Sequence, residues 1–301
     1  NGFVEGTRVK VGMSDRIIRG VGYVLVTIYA LACIIPFIII ISTSFTSEAT
    51  IRAEGVQLIP KDISLQAYEM VAKGGGIWWS YLLTIAMTLV GTFLGLSIIA
   101  MTGYALQRKD FPFRNVISFY VYFTSLFSAG LAPYYLLMTN TYHLMDSYFA
   151  VLLPLLMSPW LIILMKNFVK AIPHEITESG KIDGAGDMKI FTALILPMLK
   201  PALATIGLFL ALGYWNEWYQ SSLFLSSRVA VKPLQYTLYE IVNKTDALRN
   251  SVAGQFITLA DIPTESVKMA NAVLATGPII FLYPFVQRYF ISGITVGAVK
   301  G

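Results

Sequence analysis

The sequence predicts an all-α polytopic membrane protein with six transmembrane helices, and three observations predict it. Hydrophobic residues make up 56% of the 301 residues and charged residues only 13%, about half the charged share of a soluble domain. The mean hydropathy is +0.65, and charge-free windows recur at lengths suited to a hydrocarbon core, which about 20 helical residues cross. The lysines and arginines gather between those windows, as topological anchors do. In a soluble chain the net charge of +5 would suggest a nucleic-acid partner. Here the cations belong to the membrane surface, so the expected partners include lipid and no nucleic acid. Cys33 is the single cysteine, so an intrachain disulfide is excluded.

Six windows carry the expected spans: residues 20–47, 74–107, 115–145, 147–165, 201–216 and 269–287. The fifth is short, and the apolar run before it, with the residues after Glu217, extends it. Gly91 and Gly95 form a G-x-x-x-G pair that lets the second helix pack closely within the chain. Gly74–Gly76 followed by Trp78 and Trp79 reads as a flexible joint and an interfacial aromatic anchor. Pro36, Pro154, Pro159 and Pro278 lie inside spans, where each is a structural kink or a gating hinge. Two long connections remain, about 48–73 and about 223–266. The second carries Leu234, Leu238, Ile241 and Val242 at helical spacing, the mark of an amphipathic helix.

Orientation follows from the short connection holding Arg108, Lys109 and Arg114. Cations in short loops mark the cytoplasmic side, which places both termini in the cytoplasm and the long connections of about 48–73 and 223–266 outside. The polar stretch 172–201 then also faces the cytoplasm.

Reaction chemistry is sparse. His143 and His174 are the two histidines, too few and too far apart for a metal centre. The chain has no G-x-x-x-x-G-K-[ST] phosphate loop and no G-x-S-x-G nucleophile elbow. No catalytic residue, metal ligand or cofactor of its own is expected. The carboxylates Glu175, Glu178, Asp183 and Asp187 read as a solvated or partner-facing helix surface. Glu217, in Tyr214-Trp215-Asn216-Glu217-Trp218, falls near the outer end of its span. It is either an interfacial belt residue or a polar lining of an outer vestibule. An ion-coupled carrier or channel, the alternative class, calls for deeper carboxylates or an inverted repeat, and neither is evident.

Residues 172–201 resolve into a helix-turn-helix. Proline at 173 suits a helix start and Glu175 and Glu178 suit its positive end, so a helix is expected over 175–182. Gly184 and Gly186 break it. A second helix resumes near Met188 and kinks at Pro197. The element encloses no cavity and is suited to docking into a groove on another protein.

The pattern Glu178, Asp183-Gly184-Ala185, Phe191, Leu196-Pro197 and Pro201 resembles the EAA loop of binding-protein-dependent ABC importers, with glycine six residues after the glutamate. Other stretches are similar to carbohydrate-importer permeases of the MalG/LplC family. They are Gly103-Tyr104-Ala105-Leu106 leading to Phe111-Pro112, Trp215-Asn216-x-Trp218, and Gln287-Arg288-Tyr289-Phe290 with the tail from Gly293. One departure stands out: Ser179 and Gly180 replace the two alanines after the glutamate. Glycine in a helix costs about 1 kcal/mol relative to alanine, which predicts a shorter or less rigid helix.

The resemblance implies an ABC type I importer permease fold: one permease domain over 1–301 with its core at about 80–290, a cytoplasmic coupling loop at 174–189 and an extracytoplasmic loop at 223–266. It implies a bacterial plasma membrane location, a second homologous permease, two ATP-binding cassette subunits holding ATP and magnesium, and an extracytoplasmic solute-binding protein. Glu175, Glu178, Asp183, Gly184 and Ala185 are the implied ATPase contact. Aromatic rings stack on sugars and amides bind their hydroxyls, so Tyr134, Tyr135, Trp215, Asn216, Glu217 and Trp218 are the expected substrate pathway. The cargo implied is a carbohydrate, with a lean towards an oligosaccharide from a plant or algal polysaccharide such as alginate.

Overall fold

The computed structural model describes residues 13–73, 76–250 and 264–280. All its extended elements are helical, and an isolated antiparallel bridge joins Thr46 to Ile63. In chain order the helices are α1 (Met13–Ser44), α2 (Glu48–Glu54), α3 (Gln66–Lys73), α4 (Ile77–Gln107), α5 (Arg114–Leu126), α6 (Leu131–Leu136), α7 (Tyr148–Leu156), α8 (Pro159–Lys170) and α9 (Glu175–Ile182). Then come α10 (Asp187–Lys189), α11 (Leu196–Met198), α12 (Lys200–Trp215), α13 (Tyr219–Phe224), α14 (Leu234–Asn250) and α15 (residues 265–280). Two π-helical stretches, Leu137–Thr141 and Ile190–Ile195, follow α6 and α10.

Among the described residues three helices are long and apolar enough to cross a bilayer: Ile17–Ser44, Ile77–Gln107 and Tyr148–Lys170. Two bent pairs raise the count to as many as 5 if each is one span. The window expected at 115–145 is not one helix, because Arg114–Leu126 and Leu131–Thr141 meet at 116°. Gly130 (φ 89°) makes that corner, in a conformation side chains disfavour. The second pair, Asp187–Met198 and Lys200–Phe224, is bent by 84°. The expected window at 269–287 runs past residue 280, so its end lies outside the described residues, as do Gly74 and Gly75 of the expected joint.

The prolines act differently from one another. Pro36 sits inside a continuous α1 and Pro154 inside α7. Pro159 starts α8, with Ser158 as its N-cap, so it initiates a helix where the sequence suggested a kink or hinge. A proline at that position loses no hydrogen bond, since the first turn has unpaired N–H groups anyway.

The chain divides into two compact units. The first holds the described parts of Asn1–Met70 and Thr245–Val273. Here Phe45 stacks near Tyr68 (centroids 5.0 Å apart), and the Tyr68 hydroxyl shares a 2.8 Å hydrogen bond with Ser44. The first turn of α15 is capped by Glu48, which accepts from the Glu265 and Ser266 N–H groups.

The second unit, Val71–Lys244 with Leu274–Gly301, holds the main core. Ile99, Met165, Ile190 and Ile206 are fully buried in it, bringing α4, α8, the second π stretch and α12 together. Between apolar helices in lipid the hydrophobic drive is weak, so close backbone approach matters more. The expected G-x-x-x-G pair does this within the chain: a methyl on Gly91 would collide with the Tyr214 ring, and one on Gly95 would lie 3.1 Å from the Leu156 carbonyl. Gly103 extends the stripe, where a methyl would meet Met165. The amphipathic helix expected after residue 233 is α14, with Leu234 and Leu238 buried; the Thr84 hydroxyl accepts from the Leu234 N–H at 2.8 Å.

Candidate functional site

α9 occupies the range the sequence predicts. Its first turn carries Glu175 and Glu178, favourable at the positive end of the helix. It ends at Gly184 (φ 75°), whose N–H reaches Lys181 O at 3.0 Å while Ala185 N–H reaches Gly180 O at 2.9 Å. Those two bonds form a Schellman cap, which needs a left-handed residue at Gly184. Gly186 is extended (ψ 159°) and starts α10, so it is a helix boundary without a special conformation.

One face of α9 is buried and the other is free. Thr177 and Gly180 face inward, and a methyl on Gly180 would lie 3.0 Å from both Ile190 Cγ1 and Leu194 Cδ1. The glycine that departs from the family pattern is thus where α9 presses on the following helix. Glu175, Glu178, Asp183 and Gly184 are exposed, Ala185 is half-buried, and Ile182 on the outer face is 86% exposed. The Glu178 carboxylate lies 3.5 Å from His174 Nε2.

An ionic network pins the element to the connection after α4. Arg108 holds Asp110 through two bonds (2.8 and 2.5 Å), and its third nitrogen reaches Asp187 at 2.6 Å. Lys181 also reaches Asp110, at 2.6 Å. The Arg108 side chain is the most enclosed member and sits 5.8 Å from the Tyr104 ring, which packs on Phe191. Hydrogen bonds from Arg108 and then Lys181 hold the Asp110 carboxyl far below the usual carboxylate range. The same contact with Asp110 raises Arg108 beyond its ordinary value. Exposed pairs contribute little singly, but a bidentate, shared arrangement fixes geometry. A cavity of about 730 Å³ opens beside the network, between α9 and the end of α8.

Beyond α10 the chain widens into the second π stretch, where the Leu196 N–H bonds Phe191 O. The sharp bend expected at Pro197 occurs at Leu199 (φ −84°, ψ 5°), and Pro201 lies in the first turn of α12. The π turn absorbs the missing Pro197 donor, so that proline stays helical.

The expected pathway residues fall into separate places. Tyr134 donates to Gln220 Oε1 at 2.9 Å and meets Phe224 edge-on, and Tyr135 stacks on the same ring at 5.7 Å. Tyr134, Tyr219 and Gln220 line an open cavity of about 460 Å³. Trp215 is buried, its Nε1 donating to Ala275 O at 3.0 Å. Asn216 is exposed and accepts from Gln235, and Trp218 packs on Tyr239 at 4.9 Å. Glu217 is 7% exposed and caps α13, accepting from Gln220 N at 2.5 Å and from Ser221 Oγ at 2.6 Å. Its carboxylate is turned inward, unlike either position the sequence suggested.

Sequence reasoning missed a second buried carboxylate. Glu48, 4% exposed, accepts from Thr264 Oγ1 at 2.9 Å, Glu265 N at 3.1 Å and Ser266 N at 3.1 Å, and Arg52 lies 3.3 Å away. Burial raises its pKa, but the bonds from Ser266, Thr264 and Glu265 outweigh burial and leave it below 4.5. The partners are 216 residues apart or more, so no local pattern joins them. The Thr264-x-Ser266 run before an apolar stretch was the one available signal, a helix-start pattern.

Apolar helices packed through glycines, with an exposed glycine-capped helix held between them by an ionic network, define a polytopic α-helical membrane protein. Residues 100–296 match the family described as the binding-protein-dependent transport system inner membrane component, and the chain belongs to that family of ABC transporter permeases, which are not themselves enzymes. It is 35% identical over 289 residues to the polygalacturonan/rhamnogalacturonan transport system permease protein YtcP of Bacillus subtilis, covering 96% of this chain and all of that one. It is 35% identical to protein LplC of Bacillus subtilis, covering 89% and 90% of the two chains. A crystal structure of a bacterial ABC transporter involved in the import of the acidic polysaccharide alginate superposes with a TM-score of 0.79 at 33% identity, covering 93% of this chain and 98% of that one. These likenesses favour the importer permease over the ion-coupled carrier or channel.

Proposed function

We propose that this chain is one half of the pore of an ATP-driven carbohydrate importer in the bacterial plasma membrane, with six spans and both termini cytoplasmic. The observation that carries the reading is α9: a glycine-capped helix with a charged outer face, on a chain whose relatives are sugar-transport permeases. A second permease completes the pore, two ATP-binding cassette subunits hold ATP and magnesium, and a solute-binding protein delivers the sugar. The permease domain spans 1–301 with its core at about 80–290, the coupling loop is 174–189, and the extracytoplasmic loop is 223–266.

In this reading α9 is the coupling helix. Glu175, Glu178 and Asp183 offer charge to an ATPase groove, Gly184 sets the turn, and Ala185 seats it. Closure of the ATPases pushes α9, and the Arg108–Asp110–Asp187 network carries that push to α4. On the outer side Tyr134, Tyr135, Asn216 and Trp218 offer rings and an amide to a sugar, while Trp215 and Glu217 shape the wall behind them. The relatives named for polygalacturonan and alginate support an acidic oligosaccharide as cargo.

Co-purification should bring down a second permease and an ATPase. Glu178→Lys should uncouple binding-protein-stimulated ATP hydrolysis from uptake while membrane insertion stays normal. Unchanged uptake in that variant, or recovery of the chain alone, sinks the reading.

A further inference from the structure

We infer that the cleft between α5 and α8 binds the headgroup of an anionic phospholipid, with Lys166 as its charge partner. The Lys166 ammonium, partly buried within the Tyr148–Lys170 span, donates to Ser118 Oγ on α5 at 2.9 Å. Among the described residues no carboxylate pairs with it. A partly buried charge is costly unless it is paired, and a neutral hydroxyl carries no countercharge. Lys166 also does not take the usual escape of reaching along its own helix to the interface; it crosses to the neighbouring helix and so closes one end of a cleft.

That cleft has about 300 Å³ of space. Its lining is polar at Lys166, Ser118 and Asn167 and apolar at Leu106, Phe119 and Ile162, and the bonded Lys166–Ser118 pair marks its polar end. Lys166 precedes the end of its span, and Ser118 follows the start of α5, by about one helical turn each, roughly 5 Å. The polar end therefore lies just inside the membrane face that carries Arg114, Lys170 and α9. A ligand fitting this place is anionic at one end and apolar at the other. No residue of α5 is buried within this chain, so the cleft opens at the chain's own surface. A phosphodiester accepts from an ammonium and a hydroxyl together, and a charge-assisted bond of this kind is stronger than a neutral one.

The intact importer, purified with its partner subunits, is exchanged into phosphatidylcholine nanodiscs holding a minor share of phosphatidylglycerol, and retained lipid is read by native mass spectrometry. The wild-type complex should retain phosphatidylglycerol over phosphatidylcholine. Lys166→Gln should lose that preference by about tenfold, Lys166→Arg should keep it, and Lys109→Gln should leave it unchanged. Equal retention by the wild type and Lys166→Gln overturns the inference. A photoreactive phosphatidylglycerol, used on the unmodified complex, should label peptides from 114–126 or 159–170, and labelling confined to other helices also overturns it. Retention of inorganic phosphate without lipid preference refutes the lipid. Displacement by an acidic oligosaccharide would assign Lys166 to the sugar path instead. None of these readouts depends on transport, so their failure leaves the importer reading standing.

Discussion

Gly180 of α9 lies so close to Ile190 that a methyl on it would sit 3.0 Å from Ile190 Cγ1. The sequence alone marks this glycine as a weakness in a helix. Packed in place, it is a close contact between α9 and the helix that follows.

Gly180→Ala should therefore be tolerated, since helix propensity gains about 1 kcal/mol against a contact that needs Ile190 and Leu194 to yield slightly. Gly180→Leu should overpack the contact, at about 1–3 kcal/mol, and lift α9 from its seat. Uptake in cells, normalised to membrane expression, should fall by less than about twofold for alanine and by more than about tenfold for leucine. Equal behaviour of the two variants would show that α9 is not seated on Ile190.

Gly184 makes a different demand. Its φ of 75° lies where an L side chain costs about 1–2 kcal/mol and asparagine costs least. A methyl there meets nothing within 4 Å, so the effect is purely conformational. Uptake should rank glycine above asparagine, asparagine above alanine, and alanine above valine. A valine variant as active as wild type contradicts the cap.

How much of this was legible in the sequence depends on the range of the interaction. The α9 boundaries, the Gly184 turn, the Gly91–Gly95 stripe and α14 rest on local spacing, and the sequence carries them directly. The Asp110–Lys181 pair does not, because its partners are 71 residues apart. Each charge had a sufficient reading as a topological anchor or solvated face. The 116° corner at Gly130 was hidden for another reason: a charge-free window reports hydrophobicity and is blind to a single residue at positive φ. The Glu217 carboxylate turns inward, since Ser221 four residues later donates to it. Its Glu-x-x-x-Ser spacing was readable but carried no prior weight.

Glu48 gives a pH test. Its folded pKa is lowered, so its contribution to stability is complete above the unfolded value of about 4.3 and is lost as pH falls through the folded one. Glu48→Gln keeps the shape but puts an amide donor against the Ser266 N–H and hydroxyl, at a cost of about 1–3 kcal/mol. In detergent, the thermal midpoint of Glu48→Gln should lie below wild type at pH 7, and the gap should narrow below about pH 4.3. A gap that stays constant from pH 7 to pH 3.5 would show that the carboxylate charge has no part in capping α15.

Tyr214 covers Gly91 with its ring and donates its hydroxyl to Leu152 O at 2.9 Å, so one side chain joins α12 to α4 and α7. Gly91→Ala must displace that ring, a large-for-small insertion costing about 1–3 kcal/mol. Tyr214→Leu removes the ring and the hydrogen bond together, and it clears the space the methyl needs. The two changes therefore compete for the same volume, and their effects should not add. In the double variant the loss should be smaller than the sum of the single losses by at least about 0.5 kcal/mol. Unfolding midpoints of the four proteins in one detergent measure that difference. Additive losses would mean that the ring does not lie over Gly91, and that α4 and α12 meet through other residues.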